Sequence, residues 1–477
     1  MKILSEFPSL IIVLPIILGV IGVIIDSTKF SKYSLLVLHL VMAAFLFKMF
    51  PEVSNKLEIK YSFGGWDAPY GIEFVINRQN LLLVSLLYFV SLMTLAFSWK
   101  DLSYFTGVTN YVKFISVYMI NLAGFSGMLL TNDLFNLYVF IEIASISAYA
   151  LSSMGGKNAI KAGADYLIIG TFAATLILFG IGLIYSTTGT LNMTDILSSQ
   201  SVKQDDNLII YSIGLAFIVC GLFVKFALFP FHKWMIGIYE NSNYFTTILF
   251  SAISTKVMLF VFFKIYFGLK ESSLIDNQKI GYYFMGFASV SVIVMGIVTL
   301  FQKKIRSTLA YSSASQIGYI LIAILFSIYD GANLFLSFLI VHSLSKLGLF
   351  MIASLLDKST FLRSKGGISL SVIVPLFVMS ASIIGIPGTA GFIVKMNLFL
   401  VSIKQSYLFM SAIIIMGSVI ALFYMWPVVE DAYTQYSQQK ITQINVYPNQ
   451  KFVLYVLTLI IVAIGIYPEF LNMIIVG

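Results

Sequence analysis

Apolar residues occur in blocks of about twenty along almost the entire chain, and short polar stretches separate these blocks. A membrane-spanning helix needs ~20 mostly apolar residues, so the pattern predicts a succession of transmembrane helices. The fold class that it predicts is an all-α polytopic membrane protein. We find about fourteen such segments, namely 7–26, 33–51, 80–99, 112–130, 133–153, 163–187, 208–229, 244–268, 279–302, 308–329, 333–356, 369–402, 406–429 and 451–475.

Two of these segments contain residues that interrupt a helix. The seventh ends in KFALFPFH, where Pro230 has no amide hydrogen and leaves the carbonyl of Phe226 without its helical partner. The twelfth, 369–402, is too long for one straight crossing and contains GIPGTAG, so we expect one broken helix. Unpaired backbone at membrane depth is tolerated only where protein or a water-filled cavity satisfies it. The breaks therefore indicate a hydrated interior.

The two breaks lie five segments apart, which suggests an internal repeat. Broken helices at corresponding places in two halves are typical of inverted-repeat transporters with a site at the midplane. We predict two inverted five-helix repeats, segments 4–8 in 112–268 and segments 9–13 in 279–430. Segments 1–3 lie in 1–111, with a β-hairpin on the outer surface, and an inner loop and the last segment lie in 431–477.

Composition agrees with a membrane protein and excludes several other classes. Hydrophobic residues make up 59% of the chain, charged residues 10%, and the mean hydropathy is +0.94. The single cysteine, Cys220, excludes a disulfide framework, a Cys-ligated zinc and an iron–sulfur cluster. The sequence has no glycine-rich nucleotide-binding motif. We therefore expect no cofactor, no bound metal and no redox centre in this chain.

The net charge of +8 reports membrane topology rather than nucleic-acid binding, because the basic residues are scattered over short loops. The loops after odd-numbered segments are rich in Lys and Arg, and by the positive-inside rule they are cytoplasmic. Both termini then face outward, in a plasma membrane, and the first segment is a retained helix because it lacks a cleavage site. The basic residues in the loops after odd-numbered segments are Lys29, Lys32, Lys100, Lys157, Lys161, Lys233, Lys303, Lys304, Arg306, Lys358, Arg363 and Lys365.

Ionisable residues inside the apolar segments are the main functional candidates. Each charge at the centre of a span costs ~3 kcal/mol on insertion scales, and such residues are rare unless they are functional. His342 and Lys346 are spaced i, i+4, so they share one helix face, which suits the transfer of protons. The main candidates are Glu142, Lys225, Lys256, His342, Lys346 and Lys395.

Each candidate also has a structural interpretation. Glu142 and Lys225 could be a strut that fixes two helices. His232 either caps the interrupted turn or joins the relay. Lys264 lies about a turn from the end of its segment and is expected to extend to the membrane interface. His39 is expected to be a hydrogen-bonded packing residue.

Six motifs resemble those of the antiporter-like subunits shared by Mrp-type cation/proton antiporters, respiratory complex I and membrane-bound hydrogenases. The segment GGWDAPYGIEFV (64–75) is most similar to the D-type component of Mrp antiporters, with the N-type component of complex I as a near neighbour. The motifs are LFNLYVFIEI around Glu142, YSTTGTLNM (185–193), KFALFPFHKW (225–234), STLAYSSASQIGYIL (307–321), HSLSKLGLF (342–350) and GIPGTAGFIVK (385–395).

The resemblance implies a glutamate–lysine pair (Glu142, Lys225), a central lysine (Lys256) and an exit-side lysine (Lys395), joined through His342 and Lys346. Lys395 is the eighth residue after Pro387, which places it about two turns beyond the break. The family usually has Leu-Pro-Asp-Ala after the tryptophan, whereas MIGIYENSNYF follows Trp234 here. Glu240 could replace the missing acid.

Three interpretations of the function remain open at this point. The first is a proton-translocating subunit of a multisubunit Na⁺/H⁺ antiporter. The second is a proton-pumping subunit of an NADH:quinone oxidoreductase or a membrane-bound hydrogenase, powered by redox chemistry in other subunits. A structural membrane scaffold is the third and weakest. In every case the expected partners are other membrane subunits and the lipid bilayer, with no nucleic acid. The transported ion is the proton, and passage of Na⁺ through this chain stays open.

Overall fold

The structure is a computed structural model, and it describes residues 7–198, 205–272, 277–361, 369–437 and 446–475. Parts of four predicted loops, at 199–204, 273–276, 362–368 and 438–445, lie outside the described residues, and so do Arg363 and Lys365. Within the described part, thirteen helices are long and apolar enough to cross a membrane. The predicted all-α polytopic architecture is confirmed.

The described residues of the first half form a series of helices and a two-stranded sheet. In order the elements are α1 (Phe7–Ile25), α2 (Thr28–Lys56), β1 (Glu58–Ser62), β2 (Glu73–Asn77), α3 (Arg78–Ser98), α4 (Leu102–Thr106), α5 (Val112–Leu130), α6 (Leu134–Ser153), α7 (Lys157–Thr188), α8 (Met193–Ser198) and α9 (Asp205–Lys225). The strands pair antiparallel with Lys60 opposite Val75, so the predicted hairpin is present. Its β2 end is fixed by Asn132, whose amide nitrogen donates to the Glu73 carboxylate at 3.0 Å.

The second half contains the two breaks. The elements are α10 (Lys233–Asn241), α11 (Tyr244–Leu249), a π-helical turn (Phe250–Ser254), α12 (Thr255–Ser272), α13 (Asn277–Leu300), α14 (Ile305–Asp330), α15 (Asn333–Phe361), α16 (Leu370–Ile384), α17 (Ala390–Lys404), α18 (Leu408–Ser437), α19 (Pro448–Ile466) and α20 (Glu469–Ile475). The predicted seventh segment stops at Lys225, and a new helix starts at Lys233. The predicted twelfth segment is the pair α16 and α17.

The chain forms two compact units. The first consists of the described residues of Met1–Leu92, Thr106–Phe226 and Val257–Ile280. The second consists of those of Met93–Phe105, Ala227–Lys256 and Gly281–Gly477. The chain therefore leaves the first unit at the break after Lys225 and returns to it directly after Lys256. The division into two inverted repeats stays a prediction.

Helix α9 ends where it does because of its local backbone. The amide of Phe226 donates to the carbonyl of Leu222, as in a helix, but Ala227 has a φ of 60°, in the left-handed region. Proline at 230 then supplies no amide donor for the carbonyl of Phe226. A short turn follows, with the Phe231 amide donating to the Leu228 carbonyl at 2.6 Å. Lys225 is thus the last helical residue before the break.

Candidate functional site

The candidate cations are buried in spite of their charge. In each case the protein interior replaces water around a group that water solvates strongly, so every ammonium must find a polar partner inside the protein. The exposed fractions are 3% for Lys225, 1% for Lys256, 2% for His342, 0% for Lys346 and 6% for Lys395.

In the first unit, Lys225 contacts the helix that carries Glu142. Its Nζ donates to the Ser145 hydroxyl at 2.8 Å and to the Tyr149 hydroxyl at 3.4 Å, and both residues lie on α6. Glu142 lies three residues before Ser145 on the same helix, close enough to interact with Lys225 electrostatically. The two groups, both within the described residues, form no direct ion pair. Among those residues Glu142 Oε1 has no hydrogen-bond partner.

In the second unit, Lys256 follows the π-helical turn of Phe250–Ser254. Its Nζ donates to the carbonyl oxygen of Ser251, five residues earlier in the same segment. In a π-helical turn the backbone hydrogen bonds join residues five apart instead of four, and such turns are frequent at functional sites. The lysine therefore uses main-chain oxygen, not a carboxylate, as its partner.

His342 and Lys346 lie one helical turn apart on α15, as predicted. Lys346 Nζ donates to the Leu309 carbonyl at 3.0 Å and to the Ser312 hydroxyl at 2.5 Å, both on α14. Neither ring nitrogen of His342 has a hydrogen-bond partner among the described residues. The ring lies within electrostatic range of Lys256, Lys346 and Lys395. The structure thus brings four of the predicted relay residues together in one unit.

Lys395 binds at the break in the twelfth segment. Its Nζ donates to the carbonyls of Ile383 at 2.8 Å and Ile384 at 3.2 Å, and it lies 3.3 Å from the Ser418 hydroxyl. The last carbonyls of a helix have no intrahelical partners and carry the negative end of its dipole, so a cation there is favoured. The expectation that Lys395 stands two turns away from the break is wrong for its charged group, because the side chain extends back to it.

The two additional candidates, His232 and Glu240, also belong to the second unit. His232 occupies the N-cap position of α10, and its side chain makes no capping hydrogen bond. Its ring stacks on Phe229 with centroids 5.6 Å apart, and its Nδ1 is buried without a partner among the described residues. The ring therefore does not cap α10, but it forms a hydrogen bond with the backbone of Pro230 in the interrupted turn. Glu240 is half-buried and lines a cavity of about 860 Å³.

Lys264 and His39, for which we expected structural roles, both have partners within the first unit. Lys264 Nζ donates to the carbonyl of Thr131 at 2.7 Å, at the C-terminal end of α5, so it caps a helix, and its extension to the membrane interface stays a prediction. His39 contacts the Leu35 carbonyl at 2.6 Å and the Ser91 hydroxyl at 2.5 Å. The prediction of a hydrogen-bonded packing histidine is confirmed.

The sequence analysis missed the cluster of side chains around Arg306. It used Arg306 only to assign the membrane orientation. The guanidinium donates to the carbonyls of Tyr239 at 2.9 Å and Ser242 at 2.7 Å, and it lies 4.8 Å from the Tyr244 ring. The Tyr244 hydroxyl in turn donates to Asp357 at 3.2 Å. Arg306 thus fixes the segment after Trp234, where the sequence departs from the family pattern. An arginine at the start of an apolar helix was the available signal.

The described residues contain no group of three or more His, Cys, Asp or Glu side chains placed to hold a metal ion. The polar groups that surround the buried cations are hydroxyls and main-chain carbonyls. Such an arrangement can hold protonated lysines and can also accommodate neutral ones, because none of these partners carries a compensating charge.

A family model described as NADH:quinone oxidoreductase/Mrp antiporter, TM, matches residues 131–421, more than half of the chain. The chain belongs to this family. It is 34% identical over 387 residues to the N subunit of the NADH-quinone oxidoreductase of Desulforudis audaxviator, a comparison that covers 78% of this chain and 75% of that protein. The resemblance inferred from the motifs is confirmed.

Two further similarities point in the same direction. The chain is 28% identical over 400 residues to the D component of the Na⁺/H⁺ antiporter of Alkalihalophilus pseudofirmus, with 80% of this chain and 76% of that protein covered. It is also similar to a chain of the membrane-bound sulfane sulfur reductase, an archaeal respiratory membrane complex. That comparison has a TM-score of 0.89, 26% identity, and covers 98% of this chain and 96% of the other.

Proposed function

We propose that this chain is the proton-translocating subunit of a multisubunit Na⁺/H⁺ antiporter, and that protons move through a relay of buried side chains. The relay residues are Glu142, Lys225, Lys256, His342, Lys346 and Lys395. The observation that carries the proposal is the nature of their partners. Lys225, Lys346 and Lys395 are held by hydroxyls and carbonyls, as is Lys256 by the carbonyl of Ser251. A purely structural ion pair would instead hold each lysine against a carboxylate.

The relay works through changes of charge between neighbours. Glu142 and Lys225 interact electrostatically without touching, so a change in their separation alters how strongly the lysine holds its proton. His342 links Lys256, Lys346 and Lys395 in the second unit, because a neutral imidazole accepts a proton at one nitrogen and donates one at the other. Lys395, at the break between α16 and α17, is the terminal lysine of this series.

The orientation follows from the loop charges. We propose that the residues 303–306 face the cytoplasm, that both termini face outward, and that the protein lies in the plasma membrane. We further propose that 112–268 and 279–430 are inverted repeats, which is supported by a helix break and a nearby lysine in each. The cytoplasmic face would then carry the entrance near Glu240.

A second function has a specific observation in its favour. The relative at 34% identity is the N subunit of an NADH-quinone oxidoreductase, whereas the relative from a Na⁺/H⁺ antiporter stands at 28%. In that case the same relay serves a redox-driven pump, and the electron carriers belong to other subunits. Both functions require other membrane subunits as partners and no cofactor in this chain.

Purification of the intact complex from its native membrane, followed by transport measurements in sealed vesicles, tests the proposal. We expect the complex to dissipate an imposed pH gradient when Na⁺ is added, and to contain no flavin or iron–sulfur proteins. A complex that contains flavin and iron–sulfur subunits and moves protons only when a reductant is supplied supports the second function. Failure to move protons under either condition contradicts both.

A further inference from the structure

A large polar cavity lies within the second unit where α13 leads into α14. Its volume is about 860 Å³, and its walls include Glu240, Lys304, Asp357 and Asp431. Both acidic and basic side chains line the cavity, so its walls do not present a single sign of charge. Tyr424, on α18, also lines this cavity. Tyr424 connects the cavity with Gln316, which lies nearer to the relay residues.

The Tyr424 hydroxyl faces Gln316 in the interior of the unit. Gln316 Nε2 lies 3.5 Å from the Tyr424 hydroxyl oxygen, and both residues are buried, Tyr424 at 3% and Gln316 at 1% exposed. A buried amide and a buried phenol are costly to desolvate without polar neighbours. Their juxtaposition forms a short polar connection between α14 and α18.

Gln316 also lines a second, much smaller cavity on its other side. This cavity has a volume of about 10 Å³ and is lined by Gln316, His342, Ser345, Ser382 and Lys395. A space of ~10–15 Å³ holds about one water molecule, provided that polar groups surround it. His342 offers two buried ring nitrogens without partners among the described residues. These nitrogens are suitable partners for such a water.

We propose that Tyr424 and Gln316 form an access route through which protons pass between the cavity at residues 303–308 and the pair His342 and Lys395. The inference rests on the proposed function and adds a route to it. It assigns Lys395 a connection to the same side of the membrane as residues 303–306. An exit-side lysine would connect only to the opposite side.

The two side chains have different tasks in this route. A phenol hydroxyl both donates and accepts, so Tyr424 accepts a proton from hydronium in the large cavity as it releases its own proton to a water beside Gln316, because Gln316 lines the small cavity and Tyr424 does not. An amide does not titrate, so Gln316 holds that water in place and carries no charge. This water then protonates a ring nitrogen of His342. One proton enters and one leaves at each step, and Tyr424 ends neutral.

Removal of the Tyr424 hydroxyl tests the route directly. In vesicles that contain the intact complex, Tyr424→Phe should lower the proton flux at least about tenfold, as expected for loss of a positioned proton-transfer group. Gln316→Leu should have a similar effect. Tyr455→Phe is the matched control, because Tyr455 is exposed on α19, and its flux should equal that of the wild type. Wild-type flux in Tyr424→Phe would overturn the route.

Blocking the large cavity with a thiol reagent gives a second test, which does not require the Tyr424→Phe variant to fold. Val428 lines the large cavity one turn after Tyr424, whereas Glu430 lies on the same helix and is exposed. In a Cys220→Ser background, an anionic membrane-impermeant thiol reagent should inhibit Val428→Cys when it is added on the side of residues 303–306. The same reagent should label Glu430→Cys without inhibition.

The results of these experiments distinguish failure of the Tyr424–Gln316 route from failure of the proposed function. If Val428→Cys is labelled and the flux is unchanged, the route is wrong while the relay stands. If the wild-type complex moves no protons under either driving condition, the proposed function itself fails. Inhibition of Val428→Cys together with loss of flux in Tyr424→Phe supports the route.

Discussion

The ammonium group of Lys395 lies 2.8 Å from the carbonyl oxygen of Ile383, so the second half of the broken helix caps the first. Gly385 stands between the two halves with a φ of 91°, and its amide donates to the Ala381 carbonyl, which ends α16. The carbonyls of Ile383 and Ile384 at the break are therefore satisfied by a lysine that also belongs to the proposed relay. Loss of the proton from Lys395 weakens this cap, which couples protonation to the geometry of the break.

Substitution of Lys395 separates its two roles. Lys395→Ala should lower proton flux about a hundredfold and destabilise the complex by about 1–3 kcal/mol, because two buried carbonyls lose a charged partner. Lys395→Arg should keep the cap and the stability but lose flux, since guanidinium does not deprotonate in a protein. Flux in vesicles and thermal stability of the complex are the two measurements.

The control for this pair is Lys404→Ala, because Lys404 is exposed in the last turn of the same helix. It should leave both flux and stability unchanged. Recovery of flux by Lys395→Arg would contradict the relay role and leave only the cap.

The pair on α6 and α9 gives a second prediction. Glu142→Gln should abolish Na⁺-dependent proton movement while the complex still assembles on native gels, because Lys225 loses the neighbour that modulates its charge. Ser145→Ala should lower the flux by a smaller factor, since it removes one hydrogen bond to the ammonium, worth about 1.5–3 kcal/mol. The control is Glu430→Gln, at an exposed position. Normal transport by Glu142→Gln would exclude the pair from the mechanism.

The packing of the two half-helices gives a third prediction. A Cβ atom at Gly391 would lie 1.7 Å from the carbonyl oxygen of Ser382, so α17 approaches α16 more closely than any side chain allows. Gly391→Ala should displace the break and reduce both flux and the amount of assembled complex. Gly286→Ala is the matched control, because a Cβ there has nothing within 4 Å. At Gly286 the substitution should be neutral or stabilise by up to about 1 kcal/mol. Equal behaviour of the two variants would refute the close-packing argument.

The proposed orientation is tested by labelling. In the Cys220→Ser background, Lys303→Cys should react with an impermeant thiol reagent only in inside-out vesicles, because Lys303 is exposed and the positive-inside rule places it in the cytoplasm. A cysteine at exposed Tyr70, in the hairpin region, should react only in right-side-out vesicles. Reversed labelling of both positions would invert the topology.

The breaks and the buried ionisable residues could be predicted from the sequence because they depend on residue type alone. Proline at 230 removes a backbone donor and the glycines around Pro387 weaken a helix, although Pro375 and Pro427 lie inside helices here, and a lysine within twenty apolar residues is conspicuous by itself. The hairpin was predictable for the same reason, since its alternation and its Gly/Pro centre are local signals. Family motifs then identified which of the charges belong together.

The partners of those charges could not be predicted. Serine and main-chain carbonyls are too common to stand out, so Ser145, Ser312 and the Ile383 carbonyl carry no recognisable pattern. The π-helical turn before Lys256 lies in LFSAISTK, which contains neither proline nor glycine. The reach of Lys395 back to the break, and of Lys264 to Thr131, depends on side-chain direction, which sequence spacing does not determine.

The hydrogen bonds of His39 oppose the uptake of a second proton by its imidazole ring. Its Nδ1 contacts the Leu35 carbonyl and must therefore carry the hydrogen, so its Nε2 accepts from Ser91, whose oxygen in turn accepts from the Tyr118 hydroxyl. To gain a proton, the ring would have to give up the bond from Ser91 and break this chain of donors. A buried histidine held in this way resists protonation, whereas the ring nitrogens of His342 have no hydrogen-bond partner among the described residues.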